Sequence, residues 1–318
     1  MITPDYYEKF RCIGSNCKNN CCMGSWDIEV DYESISRFNK IDGELGERIR
    51  ASINEENIFI RKDGKCPLLL DNGLCEMVLN NHKLCVICDE YPRFTEFYGN
   101  YAERGVSLSC EAAAKIILDN EHKVAFEGET GSCCDDIFLF LYKARMNIFM
   151  ILQDRTTEIS KRIRLVLDYG EKLQEQINNN NYSDFTYSPI DRFISLSDNK
   201  AIFDFLNQLD YLSDDWADVL NSHINYTPID EIQIEQLAVY FVYRYFLKST
   251  FDCDALSKLK FMAISVNVIA SLQGDIYENS RRFSVEVEHS EDNMEMISDE
   301  FIFNDEFSTE NIINMIWA

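Results

Sequence analysis

The 318-residue chain is short of positive charge. It has 30 lysines and arginines against 55 aspartates and glutamates, a net charge of −25. A surface of that sign repels phosphate backbones, so no nucleic-acid partner is expected, and a cationic partner such as a lysine-bearing protein is favoured. No stretch approaches the roughly 18 consecutive apolar residues that a membrane span needs, so no membrane insertion is expected. The start, Met1-Ile2-Thr3-Pro4-Asp5, lacks a basic segment followed by an apolar run, so no signal peptide is read there and a cytoplasmic location is expected. Glycine is sparse, 12 residues in all, and neither a dinucleotide-type glycine fingerprint nor a P-loop follows a strand pattern. The expected architecture is therefore not Rossmann-like. No internal repeat is evident.

What the chain does have is cysteine. Nine of its 12 cysteines lie in the first 110 residues: Cys12, Cys17, Cys21, Cys22, Cys66, Cys75, Cys85, Cys88 and Cys110. With 46% hydrophobic and 13% aromatic residues the chain can bury a core without disulfides. In a reducing compartment, clustered thiols point to metal or redox chemistry more than to disulfides, although buried free cysteine is a good small hydrophobe. All nine are candidate ligands. Cys85-x2-Cys88 is a local chelate, and Cys17-x3-Cys21 can act similarly. Adjacent Cys21-Cys22 rarely share one ion. Nine sulfurs exceed the four that a tetrahedral or cubane site takes, so two centres, or one centre with spectator thiols, both remain open. Zinc and iron–sulfur centres both accept all-cysteine ligands. The radical-SAM spacing Cys-x3-Cys-x2-Cys fails, because Cys22 directly follows Cys21. Cys133, Cys134 and Cys253 lie outside the group and are read as packing thiols.

The expected fold is mainly α, with a small irregular Cys-rich metal-binding region over residues 1–135 and a helical region over 136–318. Trp26 to Val30 alternates like a short strand, and Asp31 is placed to cap a helix through Phe38. Asp63-Gly64 and Asn72-Gly73 signal tight turns, setting Cys66 and Cys75 on the arms of a hairpin. Apolar periodicity predicts helices at Ala112–Leu118, from Ile137 through Leu152, Glu158–Ile177, Lys200–Leu212, Ile229–Leu247 and Leu256–Leu272. An acidic amphipathic segment runs from Glu291 to Trp317.

Several stretches resemble flagellin lysine-N-methylases. These are Cys17-x3-Cys21-Cys22, Cys66-Pro67-Leu68-Leu69, Gly73-Leu74-Cys75, Leu84-Cys85-x2-Cys88-x2-Tyr91-Pro92-Arg93 and Leu108-Ser109-Cys110. Shorter iron–sulfur or zinc cysteine-cluster proteins share part of this pattern. Tyr240 to Lys248, and Phe283 to Ser290 with Asn293, are similar to the same methylase family. After the second cysteine of Cys-x2-Cys the family carries Arg where this chain has Asp89, so no cation is carried over there. The resemblance implies an S-adenosylmethionine-dependent N-methyltransferase with a [4Fe–4S] cluster, acting on flagellin lysines.

Methyl transfer to lysine needs a neutral amine held near the donor and a group to take its proton. Glu286, Glu288 and His289 are the candidate catalytic residues. If Phe283–Glu288 were a strand, its alternation would set both glutamates on one face; as a helix they would diverge. A solvated charged edge is the plainer reading of the residues alone. Arg93, following Tyr91-Pro92, is a candidate for the methionine carboxylate of the cofactor, with a salt bridge as the alternative. Arg244 sits in an apolar helix, where it needs a partner or a function. Tyr91, Arg93 and Arg244 are thus the candidate cofactor-binding residues. The rival readings are a non-catalytic zinc- or iron–sulfur-binding module for metal delivery, and an electron-transfer protein.

Overall fold

A computed structural model describes residues 1–24, 26–133, 135–223 and 230–317. Strand β1 (Ile2–Pro4) leads into single 3₁₀ turns, including Gly14–Asn16 and Cys21–Met23, and then helices α1 (Tyr32–Phe38) and α2 (Gly43–Ala51). Two helices of about one turn follow, α3 (Glu76–Leu79) and α4 (Val86–Glu90). Next come β2 (Arg93–Tyr98), β3 (Tyr101–Val106), α5 (Glu111–Leu118) and β4 (Phe126–Gly128). The sheet order is β2-β3-β1-β4, with β1 parallel to β3 and antiparallel to β4. The β2–β3 hairpin closes on Gly99-Asn100, with Gly99 at φ 63°, a conformation glycine adopts without a Cβ penalty.

Helices fill the rest: α6 (Asp136–Leu152), α7 (Ile159–Asn178), α8 (Lys200–Leu206), α9 (Trp216–Asn221), α10 (Glu231–Tyr245), α11 (Ser249–Asp252), α12 (Ala255–Ser271), α13 (Ile276–Phe283), α14 (Glu291–Phe303) and α15 (Thr309–Met315). The chain is mainly α, as expected. Aspartates at the helix starts do the capping: Asp135 accepts from Ile137 N and Asp254 from Ser257 N, each at 3.0 Å, satisfying amides that a helix leaves open. No helix among the described residues is long and apolar enough to cross a membrane.

The structure departs from the sequence expectations at several places. The helix expected over Lys200–Leu212 stops at Leu206, and the Leu212 and Ser213 amides bond instead to Glu286 at 2.8 and 3.3 Å. Trp26–Val30 makes no strand, only an isolated bridge from Glu29 to Ile58. The acidic tail divides into α14 and α15, because Asn304 and Ser308 cap new turns through Glu306 N and Asn311 N. Residues 283–288 are helical rather than extended: α13 runs into a π turn over Ser284–Glu288. The expected hairpin holds, with Leu69 bridged to Cys75 around Gly73 at φ 78°. Ile229, read as the start of a helix, and Cys134 lie outside the described residues.

Two apolar cores form. The larger joins Tyr6, Phe10 and the sheet residues Tyr98, Tyr101 and Val106 to the helices from α5 onward. Its centre is α12, buried along most of its length between α7 and α10. The smaller holds Ile28, Val30, Phe38, Ile49, Phe59, Leu68 and Met77, with Cys66 and Cys85 inside it. Ion pairs are buried in the larger one. Arg145 of α6 forks onto Glu103 of β3, both side chains 3% exposed, and Tyr101 adds a hydroxyl to Glu103 at 2.6 Å. Arg162 of α7 meets Glu235 of α10 at 2.6 Å. Removing one partner of such a pair strands a charge in the core. Arg145→Ala should therefore lower stability by about 3–5 kcal/mol, while an apolar replacement of both Arg145 and Glu103 should restore most of it. Denaturant midpoints of the two variants check this.

Candidate functional site

The thiols gather in and beside the small core. Short helices place several of them. Cys75, Cys85 and Cys110 occupy the N-cap positions of α3, α4 and α5. First-turn amides of those helices point at the sulfurs: Met77 and Val78 at Cys75, Cys88 at Cys85, and Ala112 and Ala113 at Cys110. Leu68 and Leu69 amides serve Cys66 in the same way. Backbone N–H groups and a helix N-terminus favour an anionic sulfur. Asp31 orients α4, accepting from Ser34 N of α1 and from Val86 N of α4, each at 2.9 Å. The Ser34 hydroxyl and those amides pull the Asp31 carboxyl down to about 2.

Within the group, Cys22 lies against both Cys21 and Cys66. Its neighbouring thiol draws Cys21 and Cys66 each down to about 7, while Cys22 itself is raised. Cys85 and Cys88 form a second such couple, with Cys85 lowered and Cys88 raised. Cys88 also feels Cys66 and Cys21, and Cys75 feels Cys66 and Cys85, so six sulfurs share one neighbourhood. Cys110, at the start of α5, feels Cys21, and Cys17 feels Cys110. Cys17 Sγ is 3.5 Å from Glu111, and burial with that carboxylate pushes its thiol up to about 12. Cys12 is exposed. In donor type, number and amide environment these residues suit a thiolate-held centre. Among the described residues, no group of three or more His, Cys, Asp or Glu stands ready-made around a metal position.

The second half of the site comes from α10 and the π turn. Glu288 is buried, and its Oε2 accepts from Tyr240 OH at 3.0 Å and Tyr245 OH at 2.7 Å, with Arg244 Nε, which donates to Tyr245 OH at 2.9 Å, forming an ion pair to it at 3.2 Å. Its Oε1 has no partner, and neither has Arg244 Nη1, although both atoms are buried. A native protein seldom leaves such atoms unpaired without a reason. Arg244 is further held 4.4 Å above the Phe94 ring of β2. One residue on, His289 turns outward to solvent beside Trp26 and Tyr91, with ring centroids 6.1 and 6.5 Å away. Packed protein beside it lowers the His289 pKa from its ordinary 6.5; the Arg244 charge acts the same way and Glu288 opposes them. Tyr91 OH then bonds Ser109 at 3.1 Å, Ser109 bonds Ser107 at 3.0 Å, and Ser107 lies 3.3 Å from Ser284 in the π turn. Tyr91 also lies near enough to Cys110 and Cys21 for their charges to act on it. The thiol group and the Glu288 hub thus meet across Tyr91.

The sequence-predicted residues divide accordingly. Glu288, His289, Tyr91 and Arg244 come together. Glu286 points elsewhere: its oxygens take Leu212 N, Ser213 N and Ser213 Oγ, which makes it a loop anchor. Arg93 lies 5.0 Å over the Phe10 ring and donates to Asp89 O at 3.2 Å. Sequence reasoning missed Trp26, Tyr240, Tyr245 and the serine relay. The one available signal is the density of tyrosine around Arg244. A separate cavity of about 430 Å³ lies between α6, α7 and the segment 185–189, lined by Asn147, Arg162, Tyr169 and Tyr187 among others. It contains none of the sequence-predicted residues.

Comparisons with known proteins bear on this arrangement. No protein-family model matches the chain, and no solved structure matches it significantly. The chain is 25% identical over 145 residues to a lysine-N-methylase of Salmonella typhimurium (strain LT2), covering 41% of this chain and 35% of that protein. A lysine-N-methylase of Salmonella choleraesuis matches to the same extent, 25% over 145 residues. The flagellar biosynthetic protein FliU of Salmonella muenchen is 26% identical over 166 residues, 48% of this chain and 95% of FliU. The chain thus resembles lysine-N-methylases, spanning 35% of the length of those it matches.

Proposed function

We propose that this chain is a protein-lysine N-methyltransferase that uses S-adenosylmethionine and acts on lysines of a flagellin-like protein. The observation that carries the reading is Tyr91, which lies within reach of Cys110 and Cys21 on one side and beside His289 on the other, His289 being next in sequence to a buried Glu288 that keeps an unpaired oxygen. The names of the similar proteins support the reaction class.

Bound S-adenosylmethionine supplies an electrophilic methyl group; this chain's residues have the remaining work. His289 stands at the solvent edge with its imidazole favoured in the neutral form, ready to accept the proton that the amine must lose. Glu288, one residue inward, keeps Oε1 as an acceptor for the amine, and its own charge is balanced by Arg244 and two tyrosine hydroxyls. The buried, unpaired Arg244 Nη1 would be the partner of an anionic group such as the methionine carboxylate of the donor. Tyr91 lies beside His289 and within reach of Cys21 and Cys110. Four of Cys21, Cys22, Cys66, Cys75, Cys85 and Cys88 would hold a [4Fe–4S] cluster, which would supply a rigid pin for these loops and a redox-capable centre. The same thiols would bind zinc, in which case the centre is structural only.

Anaerobically purified protein should contain iron and sulfide and bind S-adenosylmethionine in a calorimetric titration. Intact holoprotein that binds none would overturn the reading, and stoichiometric zinc without sulfide would remove the cluster from it. The pH dependence of kcat/KM adds a second check. Because the His289 pKa lies below 6.5, activity should hold through neutral pH and fall only as the imidazole takes up a proton, with a midpoint below 6.5. His289→Gln should erase that acid limb, and an unchanged limb in this variant would exclude His289 as the acceptor.

A further inference from the structure

We infer that Trp26, Tyr91 and His289 form an aromatic seat for a cationic amine, and that this seat takes lysine already carrying methyl groups as well as unmodified lysine. The inference rests on the methyltransferase reading for its choice of ligand and extends it to substrate form.

The three ring centroids stand at the corners of a triangle with sides of 5.7, 6.1 and 6.5 Å. Each ring comes from a different part of the chain: the loop after the Cys21–Met23 turn, the residue after α4, and the residue after the π turn. Their positions are built. A methyl placed on Gly24 would lie 2.5 Å from the Trp26 indole, so only glycine lets the ring lie back there. The Gly24 backbone has φ −66°, an ordinary conformation, so the close approach of the ring is the reason for glycine. Arg61 fixes the same loop, donating from Nε to Trp26 O at 3.0 Å and from Nη1 to Gly64 O at 2.9 Å. Tyr91 is held by its hydroxyl on Ser109. Trp26 and Tyr91 are half-buried and His289 is exposed, so the group opens to solvent.

Charge completes the argument. Aromatic faces attract a cation held within about 6 Å of a ring centroid, and they do so best when it is weakly hydrated. Methylation of an ammonium keeps its charge and removes N–H donors and hydration. A site built from carboxylates alone would therefore weaken with each methyl, whereas ring faces would not. Glu288 lies directly behind His289 with Oε1 unpaired and buried, an acceptor whose charge Arg244 balances. The chain's net charge of −25 works in the same direction at long range.

The test uses holoprotein and three short peptides of one sequence, carrying lysine, Nε-trimethyllysine or norleucine at the same place. Binding is read by tryptophan fluorescence. Trp216 is fully buried, so Trp26 and Trp317 are the candidate reporters, and a Trp317→Phe background isolates Trp26. The trimethyllysine peptide should bind at least as tightly as the lysine peptide, and norleucine roughly tenfold more weakly. Trp26→Ala should cost roughly tenfold for both charged peptides, read by anisotropy of a labelled peptide, while Trp26→Phe retains most of the affinity. Gly24→Ala, which displaces the ring without removing it, should lose affinity like Trp26→Ala. Equal binding of norleucine, or Trp26→Ala without effect in a protein of unchanged circular dichroism, would overturn the seat. Seat binding without S-adenosylmethionine binding would sink the methyltransferase reading and leave the seat standing. Methyl transfer with no preference for charged peptides would do the reverse.

Discussion

The site depends on the burial of one carboxylate. Glu288 gives up water, and two hydroxyl donors of α10, Tyr240 and Tyr245, with the Arg244 charge beside them, replace it at one oxygen. An isolated buried carboxylate would be prohibitive, so this arrangement requires α10 and the π turn to lie in fixed register. On a regular helix Glu286 and Glu288 would already point roughly 200° apart. The π turn keeps them apart and places His289 outside while Glu288 stays inside. One glutamate then anchors the loop at Leu212 and Ser213, and the other forms the floor of the site.

The cysteine-rich part is organised by a different rule. Its helices are too short to be stable alone. What they provide is N-termini, and the chain sets cysteines there, so that backbone amides face sulfur at Cys75, Cys85 and Cys110. Asp31 and Arg61 staple the loops between them. The small core around Phe38, Phe59 and Met77 carries the same sulfurs inside it, so folding there and whatever the thiols hold are linked.

Much of this was legible in the sequence, and the remainder was not for physical reasons. The long helices followed from apolar period and aspartate caps, and the thiol group from residue type and spacing. Asn72-Gly73 marked its hairpin because Gly73 needs positive φ. Residues 283–288 misled, since alternating Val and Glu satisfies a strand period equally well, and only tertiary partners made the segment helical. The relay through Ser107 and Ser284 joins residues 177 positions apart, which no local pattern reports. Trp26 read as part of a strand because its role comes from Gly24 behind it and His289 in front.

The most direct test of the central claim is mass spectrometry of flagellin incubated with iron-loaded protein and S-adenosylmethionine. Methyl additions confined to lysines, lost in Glu288→Gln and retained in Trp317→Phe, are the predicted result. A holoprotein that binds the donor yet leaves every lysine unmodified would contradict the account.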